Sequence, residues 1–157
     1  MSLAEGLTIR RASVEDAAVI TAHRRAMFKE MRSAGEAALD EMAARFGPWV
    51  EEKLAAEEYL GWFAIAADGA IAAGAGLWLM DWPPHVVGRA KRRGYLLNVY
   101  TEKAFRRRGL ARHLVEVAMT WCYEHDVDTV VLHASDAGRR MYEEMGFRAT
   151  NEMRIVL

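Results

Sequence analysis

The spacing of apolar residues changes along the chain, and each change marks an element. Residues 7–10 predict a short strand, and Ser13 followed by Glu15 and Asp16 supplies a cap and an acidic first turn for a helix. Ile20, Met27, Phe28 and Met31 recur at helical spacing, so the helix is expected from Val14 to about Ser33, with Gly35 marking its end. A second helix opens at Glu36 with Leu39, Met42, Ala43 and Phe46 on one face. Gly47-Pro48 breaks into that pattern. Because proline is tolerated in a first turn but not in a helix interior, residues 48–59 are expected as a separate or kinked helix.

From Gly61 onward, strand formers replace the helical pattern. Residues 62–66 and 71–80 flank Asp68-Gly69, a strong hairpin signal, and predict two antiparallel strands. Residues 81–93, with Trp82-Pro83-Pro84-His85 and four basic residues, read as a loop that either gates a site or caps the sheet. Residues 95–101 read as a central strand. Leu110, Leu114, Val117, Ala118 and Trp121 then make one buried helical stripe. A β-branched strand at 129–132, a short helix at 136–145 ended by Gly146, and closing strand material at 147–157 complete the pass. This order predicts a single domain over residues 1–157, of α/β (α+β) class, with a mixed sheet and helices on its faces.

Composition narrows the functional classes. The 157 residues carry 21 Lys+Arg against 22 Asp+Glu and are 52% hydrophobic, which excludes a disordered chain and argues against a dedicated polyanion binder. No apolar run is long enough to span a membrane, and no leader is recognisable, so no membrane partner is expected. The single cysteine, Cys122, cannot form an internal disulfide and points to the cytoplasm. Beneath the near-neutral total, residues 36–68 hold eight acids and two bases, whereas residues 89–112 hold nine bases and one acid. Among its nine bases the basic stretch holds only three aromatics, Tyr95, Tyr100 and Phe105, too few to read as a single-strand nucleic-acid platform, so no nucleic-acid partner is expected. The acidic stretch is either a solvated helix face or one wall of a site for a cationic amine.

The chemistry concentrates where the strand at 95–101 leads through a basic glycine turn into a helix. Free N–H groups of a first helical turn, aligned with the helix dipole, form an anion cradle, and glycine lets phosphate oxygens approach the backbone. Neither the P-loop pattern nor the dinucleotide fingerprint fits this turn. The histidines show no metal-ligand spacing, and no metal is expected.

Arg106-Arg107-Arg108-Gly109-Leu110-Ala111 resembles the acyl-CoA-binding signature of the GCN5-related N-acetyltransferases, R/Q-x-x-G-x-G/A. The likeness extends to Leu132-His133-Ala134-Ser135, to the run from Gly138 through Tyr142 to Gly146-Phe147, and to Ile9-Arg10-Arg11-Ala12 with Glu15-Asp16. It implies a single acyl-CoA N-acyltransferase domain with a mostly antiparallel sheet, and acetyl-CoA as co-substrate. It also implies that Val99, Tyr100 and Thr101 present backbone groups to the pantetheine arm and the acyl carbonyl. The N–H groups from Arg107 to Arg112 would hold the pyrophosphate, with Arg106 opening the signature, and Tyr142 would act as general acid on the departing sulfur.

Acyl transfer from a thioester builds charge on the carbonyl oxygen and expels a thiolate, so it needs fixed donors and an acid. An alkylammonium must also lose a proton before attack, and Glu102, His133 and Glu30 are the candidate bases. The resemblance leaves the acceptor open between a small amine and a protein amine. A CoA-binding sensor without catalysis is the alternative function, and a homodimer is the family's suggestion for assembly.

Overall fold

In the computed structural model, which describes residues 6–157, side chains alternate along the strands and divide between two cores, one on each face of a single sheet. The strands β1 (Thr8–Arg11), β2 (Tyr59–Ile65), β3 (Ile71–Asp81), β4 (Arg92–Thr101) and β5 (Val130–Leu132) lie in that spatial order. The first four are antiparallel, and β5 is parallel to β4. Four helices cover the sheet: α1 (Ala17–Glu30), α2 (Glu36–Ala55), α3 (Leu110–Glu124) and α4 (Asp136–Glu144).

Strand β2 shows how the faces are assigned. Leu60, Trp62 and Ala64 join the core that contains Leu110, Leu114, Val115, Ala118 and Cys122 of α3, while Tyr59 and Phe63 join Ile20 of α1 and Phe46, Val50 and Leu54 of α2. The expected α3 stripe is therefore right at Leu110, Leu114 and Ala118. It is rotated elsewhere: Val115 and Cys122 are buried, and Val117 and Trp121 are only half-buried. The mixed α+β architecture with helices on both faces is as the sequence predicts.

Three expectations are corrected. Pro48 does not divide α2, which runs unbroken from Glu36 to Ala55. Both Pro48 and Ala44, whose carbonyl loses its partner, face solvent, where water can satisfy the free oxygen. The chain also enters β2 already at Tyr59, within the range expected to be helical. Residues 147–157 form no strand, and Met153, Ile155 and Leu157 are 94%, 80% and 108% exposed. With β5 only three residues long, that alternating run gains no sheet face to bury against.

The irregularity that matters most lies in β4. Gly74 pairs with Tyr100 but Gly76 with Leu97, so Asn98 and Val99 together oppose Ala75. This bulge puts Asn98 in the left-handed region at φ +54. One extra residue reverses the alternation: Leu97 and Asn98 both turn to the α1/α2 face, Val99 packs on the α3 side, and Tyr100 meets α1. Pairing of β4 with β5 ends at Leu96 and Leu132, and beyond that point the two strands part.

Candidate active site

The parting of β4 and β5 opens a cleft of about 1220 Å³, and the N-terminus of α3 lies across one end of it. Gly109, the residue before α3, is left-handed at φ +74, and Arg107 is left-handed at φ +62. A side chain at the glycine position would be strained, whereas glycine makes the turn freely. His113 donates to Gly109 O at 3.0 Å, the first bond of the helical ladder. The N–H groups of Leu110, Ala111 and Arg112 therefore precede any intrahelical acceptor and are available at the cleft.

The arginines of the turn do different things. Arg106 turns away to α1, donating from Nη2 to both Glu30 oxygens at 2.7 and 2.8 Å and from Nε to Thr101 O at 2.9 Å. Arg112 pairs with Glu144 at 2.6 Å. Arg108 lies over the Phe105 ring, outside the cleft lining. Arg107 lines the cleft and makes no ion pair among the described residues.

Tyr142 comes up from α4 on the same side. Its ring is buried edge-on against Phe147, and burial pushes the phenol up to about 12, so it stays protonated throughout the neutral range. Ser135 caps α4, its Oγ accepting from Gly138 N at 3.2 Å, which fixes the helix that carries Tyr142.

The α1 wall is made of side chains. The Arg24 guanidinium donates to Asn98 Oδ1 at 2.8 Å, and Asn98 Nδ2 in turn donates to the Tyr59 hydroxyl at 3.0 Å. Tyr59 fits there because Gly76 has no side chain: a Cβ at Gly76 would stand 1.9 Å from that hydroxyl oxygen. Tyr95, on β4, is hydrogen-bonded through its hydroxyl to His133 Nδ1, and His133 Nε2 stands 3.5 Å from Glu152 Oε1.

The acetyltransferase (GNAT) family model matches residues 14–147. The chain belongs to the GNAT acetyltransferase family. A GCN5-related N-acetyltransferase from Ralstonia eutropha is 33% identical, with 97% of this chain and 99% of that one aligned and a TM-score of 0.91. A predicted acetyltransferase from Clostridium acetobutylicum, solved with acetyl-CoA, is 24% identical over 96% of both chains at a TM-score of 0.87. Glucosamine-6-phosphate N-acetyltransferase from Arabidopsis thaliana is 18% identical over 98% of this chain and 99% of that one, at 0.68. The last two likenesses speak for the fold alone. No relative is found among curated proteins.

Within this GNAT chain the cleft gathers Val99, Tyr100, Thr101, Arg106, Arg107, Gly109, Leu110, Ala111, Arg112 and Tyr142, ten of the eleven site residues expected from sequence. The candidate bases separate. His133 and Glu30 line the cleft, but Glu30 is held by Arg106 and accepts from Tyr100 at 3.3 Å. Glu102 lies outside the lining and stands 3.5 Å from the buried His23. None of the eight acids between residues 36 and 68 reaches the cleft: Glu36 and Asp40 are paired with Arg25, and Glu58 with Lys53. Of the two readings of that stretch, an acidic wall for a cationic amine is not formed among the described residues, and its acids lie outside the cleft lining.

The loop between β3 and β4 does not line the cleft. Asp128 accepts from the N–H groups of Arg89 and Ala90 at 2.5 and 3.0 Å and ties it down elsewhere. Sequence reasoning missed Arg24 and Asn98 because their meeting depends on the bulge, and it passed over Tyr95. The polar Asn98 in an otherwise apolar strand was the available signal. Among the described residues no group is placed to hold a metal, and no helix is long and apolar enough to cross a membrane.

Proposed function

We propose that this chain transfers the acetyl group of acetyl-CoA to a primary amine by direct attack. The observation that carries this reading is the coincidence, in one cleft, of unpaired β4 backbone, the open first turn of α3 and the buried Tyr142. Acetyl-CoA supplies the activated acyl group as a thioester. The backbone of Val99, Tyr100 and Thr101 holds the pantetheine arm along the edge that β5 leaves free, and a β4 N–H meets the acyl oxygen as charge gathers there. The N–H groups of Leu110, Ala111 and Arg112, with the Arg107 side chain, receive the pyrophosphate.

Tyr142 donates to the departing sulfur. Its pKa of about 12 lies above the roughly 8.5 of an ordinary thiol, so the phenol stays neutral, keeps its proton and stabilises the departing thiolate by a hydrogen bond as the C–S bond breaks. His133 takes up the amine's proton by way of the Tyr95 hydroxyl, and Glu152 beside Nε2 offsets the positive charge that appears on the ring. Thiol release from acetyl-CoA, followed with a thiol-reactive dye over a panel of amines, tests the reading. Amine-dependent release is expected, whereas CoA binding without release from any amine would make the protein a sensor.

We further propose a cytoplasmic homodimer. The support is the tail, where Met153, Ile155, Val156 and Leu157 are all exposed, with Glu152 next to His133 just past β5, the edge strand of the sheet. Sedimentation should show a dimer that I155S/L157S converts to monomer; an unchanged mass would remove the tail from the interface.

A further inference from the structure

Arg24 is positioned in a way the reaction as described does not use. It lines the cleft from α1, with its guanidinium 4.8 and 4.7 Å from the ring centroids of Phe28 and Phe46, while Nη1 donates to Asn98. Its Nε is buried with no hydrogen-bond partner, and among the described residues no carboxylate lies within 4.0 Å of it. Burial pushes this guanidinium down from its ordinary value. The contrast with Arg106 and Arg112, each of which has a glutamate, is plain.

A desolvated cation without a counter-charge is an open valence for an anion, and a guanidinium offers a planar pair of donors that matches carboxylate and phosphate oxygens. The nearby Phe28 and Phe46 rings and the bond to Asn98 hold the fork still, so little ordering remains to be done when an anion arrives. The cleft's own carboxylates do not compete for it: Glu30 is bound by Arg106, and Asp136 opens α4 on the far wall.

We propose that the acceptor carries, besides its amine, a carboxylate or phosphate group that Arg24 receives. This rests on the acetyltransferase reading and deepens it: the substrate class is a small amino acid or amine phosphate, and polycationic amines are disfavoured. Arg24 fixes the acceptor by its anion, and the Tyr95 hydroxyl lies on the same sheet face to meet the amine.

The test uses matched acceptors with the unmodified protein: an α-amino acid against its amide, and an amino-sugar phosphate against the free amino sugar. In at least one pair kcat/KM should favour the anionic member by about 30-fold or more, and the pair showing it tells carboxylate from phosphate. R24Q should reduce that ratio to about threefold or less with CoA affinity unchanged, and R24K should fall between. Equal use of both members in both pairs, preference for polyamines, or a ratio that survives R24Q would each overturn the proposal. Calorimetric binding of the corresponding N-acetylated products to the CoA-loaded protein reads the same preference without turnover. Anion-selective binding lost in R24Q, with no thiol released from any amine, would sink the transferase reading and leave the Arg24 site standing.

Discussion

On the α3 wall of the cleft the groups offered to a ligand are mainly backbone donors, at Leu110, Ala111 and Arg112, while on the α1 wall they are the side chains of Arg24, Tyr95 and His133. The first wall needs only a left-handed turn at Gly109 and a helix start, both encoded within a few consecutive residues. The second draws on α1, β2, β4 and the end of β5, and exists only once the sheet is assembled. A backbone site tolerates changes of side chain but not of conformation. A side-chain site has the opposite sensitivity, and substitutions should tell the two walls apart.

The largest effect is expected at Tyr142, the proposed donor to the leaving group. Y142F should lower kcat about a hundredfold or more with CoA affinity held. If calorimetry showed the affinity falling instead, the phenol would belong to binding. The pH profile sharpens this. Because burial raises the phenol to about 12, the wild-type rate should show no loss attributable to Tyr142 up to about pH 10.

On the other wall the fragile point is Gly76. G76A would drive a methyl group into the Tyr59 hydroxyl, and a loss of about 3 kcal/mol in urea-melt stability is expected, with acceptor KM rising in whatever protein remains folded. Wild-type stability would mean that Tyr59 can move, and that the support of Asn98 and Arg24 is slack.

A finer comparison lies inside the arginine turn itself. R107Q should weaken CoA binding about tenfold without moving the melting temperature, while R106Q, which cuts the tie to Glu30, should cost about 0.5–1 kcal/mol of stability. Interchanged results would mean that the side chains of this turn have been assigned to the wrong tasks.

The smallest effect concerns His23, which is buried beneath the α1 wall. Burial lowers its pKa from the ordinary 6.5, against a weaker raising influence from Glu102. Its neutral form is thus the one that folds, so the unfolded chain binds more protons and stability should fall as pH drops below about 6.5, by at most about 1.4 kcal/mol per unit. Urea midpoints at pH 7 and pH 5 for wild type and H23Q should differ in this slope, and equal slopes would clear His23 of the effect.

The same division explains what could be read from the chain. The Asp68-Gly69 hairpin, the turn at Arg106–Ala111 and most of the α3 stripe follow from local rules, and all three are present. Pro48 misled because a proline's cost depends on whether the orphaned carbonyl meets water, a fact of tertiary exposure. Residues 147–157 alternate like a strand, but alternation needs a face to bury, and the described residues provide none. The acidic stretch could be read as a solvated face or as a wall for a cation, and only the packed helices decide: none of its acids lines the cleft, and Glu36, Asp40 and Glu58 pair with Arg25, Lys29 and Lys53 instead. Arg24 and Asn98 lie 74 positions apart, and no local pattern joins them.

The extra residue at Asn98 therefore acts as a change of address within one strand. Positions before it and after it obey opposite rules for which face they serve, so a substitution at 97 or 98 alters the α1/α2 side of the sheet, while Val99 keeps its post on the α3 side. On the proposed reading, side chains at and around the bulge would retune acceptor preference while the cradle proposed at α3 is left as it is. An engineer seeking a new amine would begin at Arg24 and Asn98, and would leave Gly109 alone.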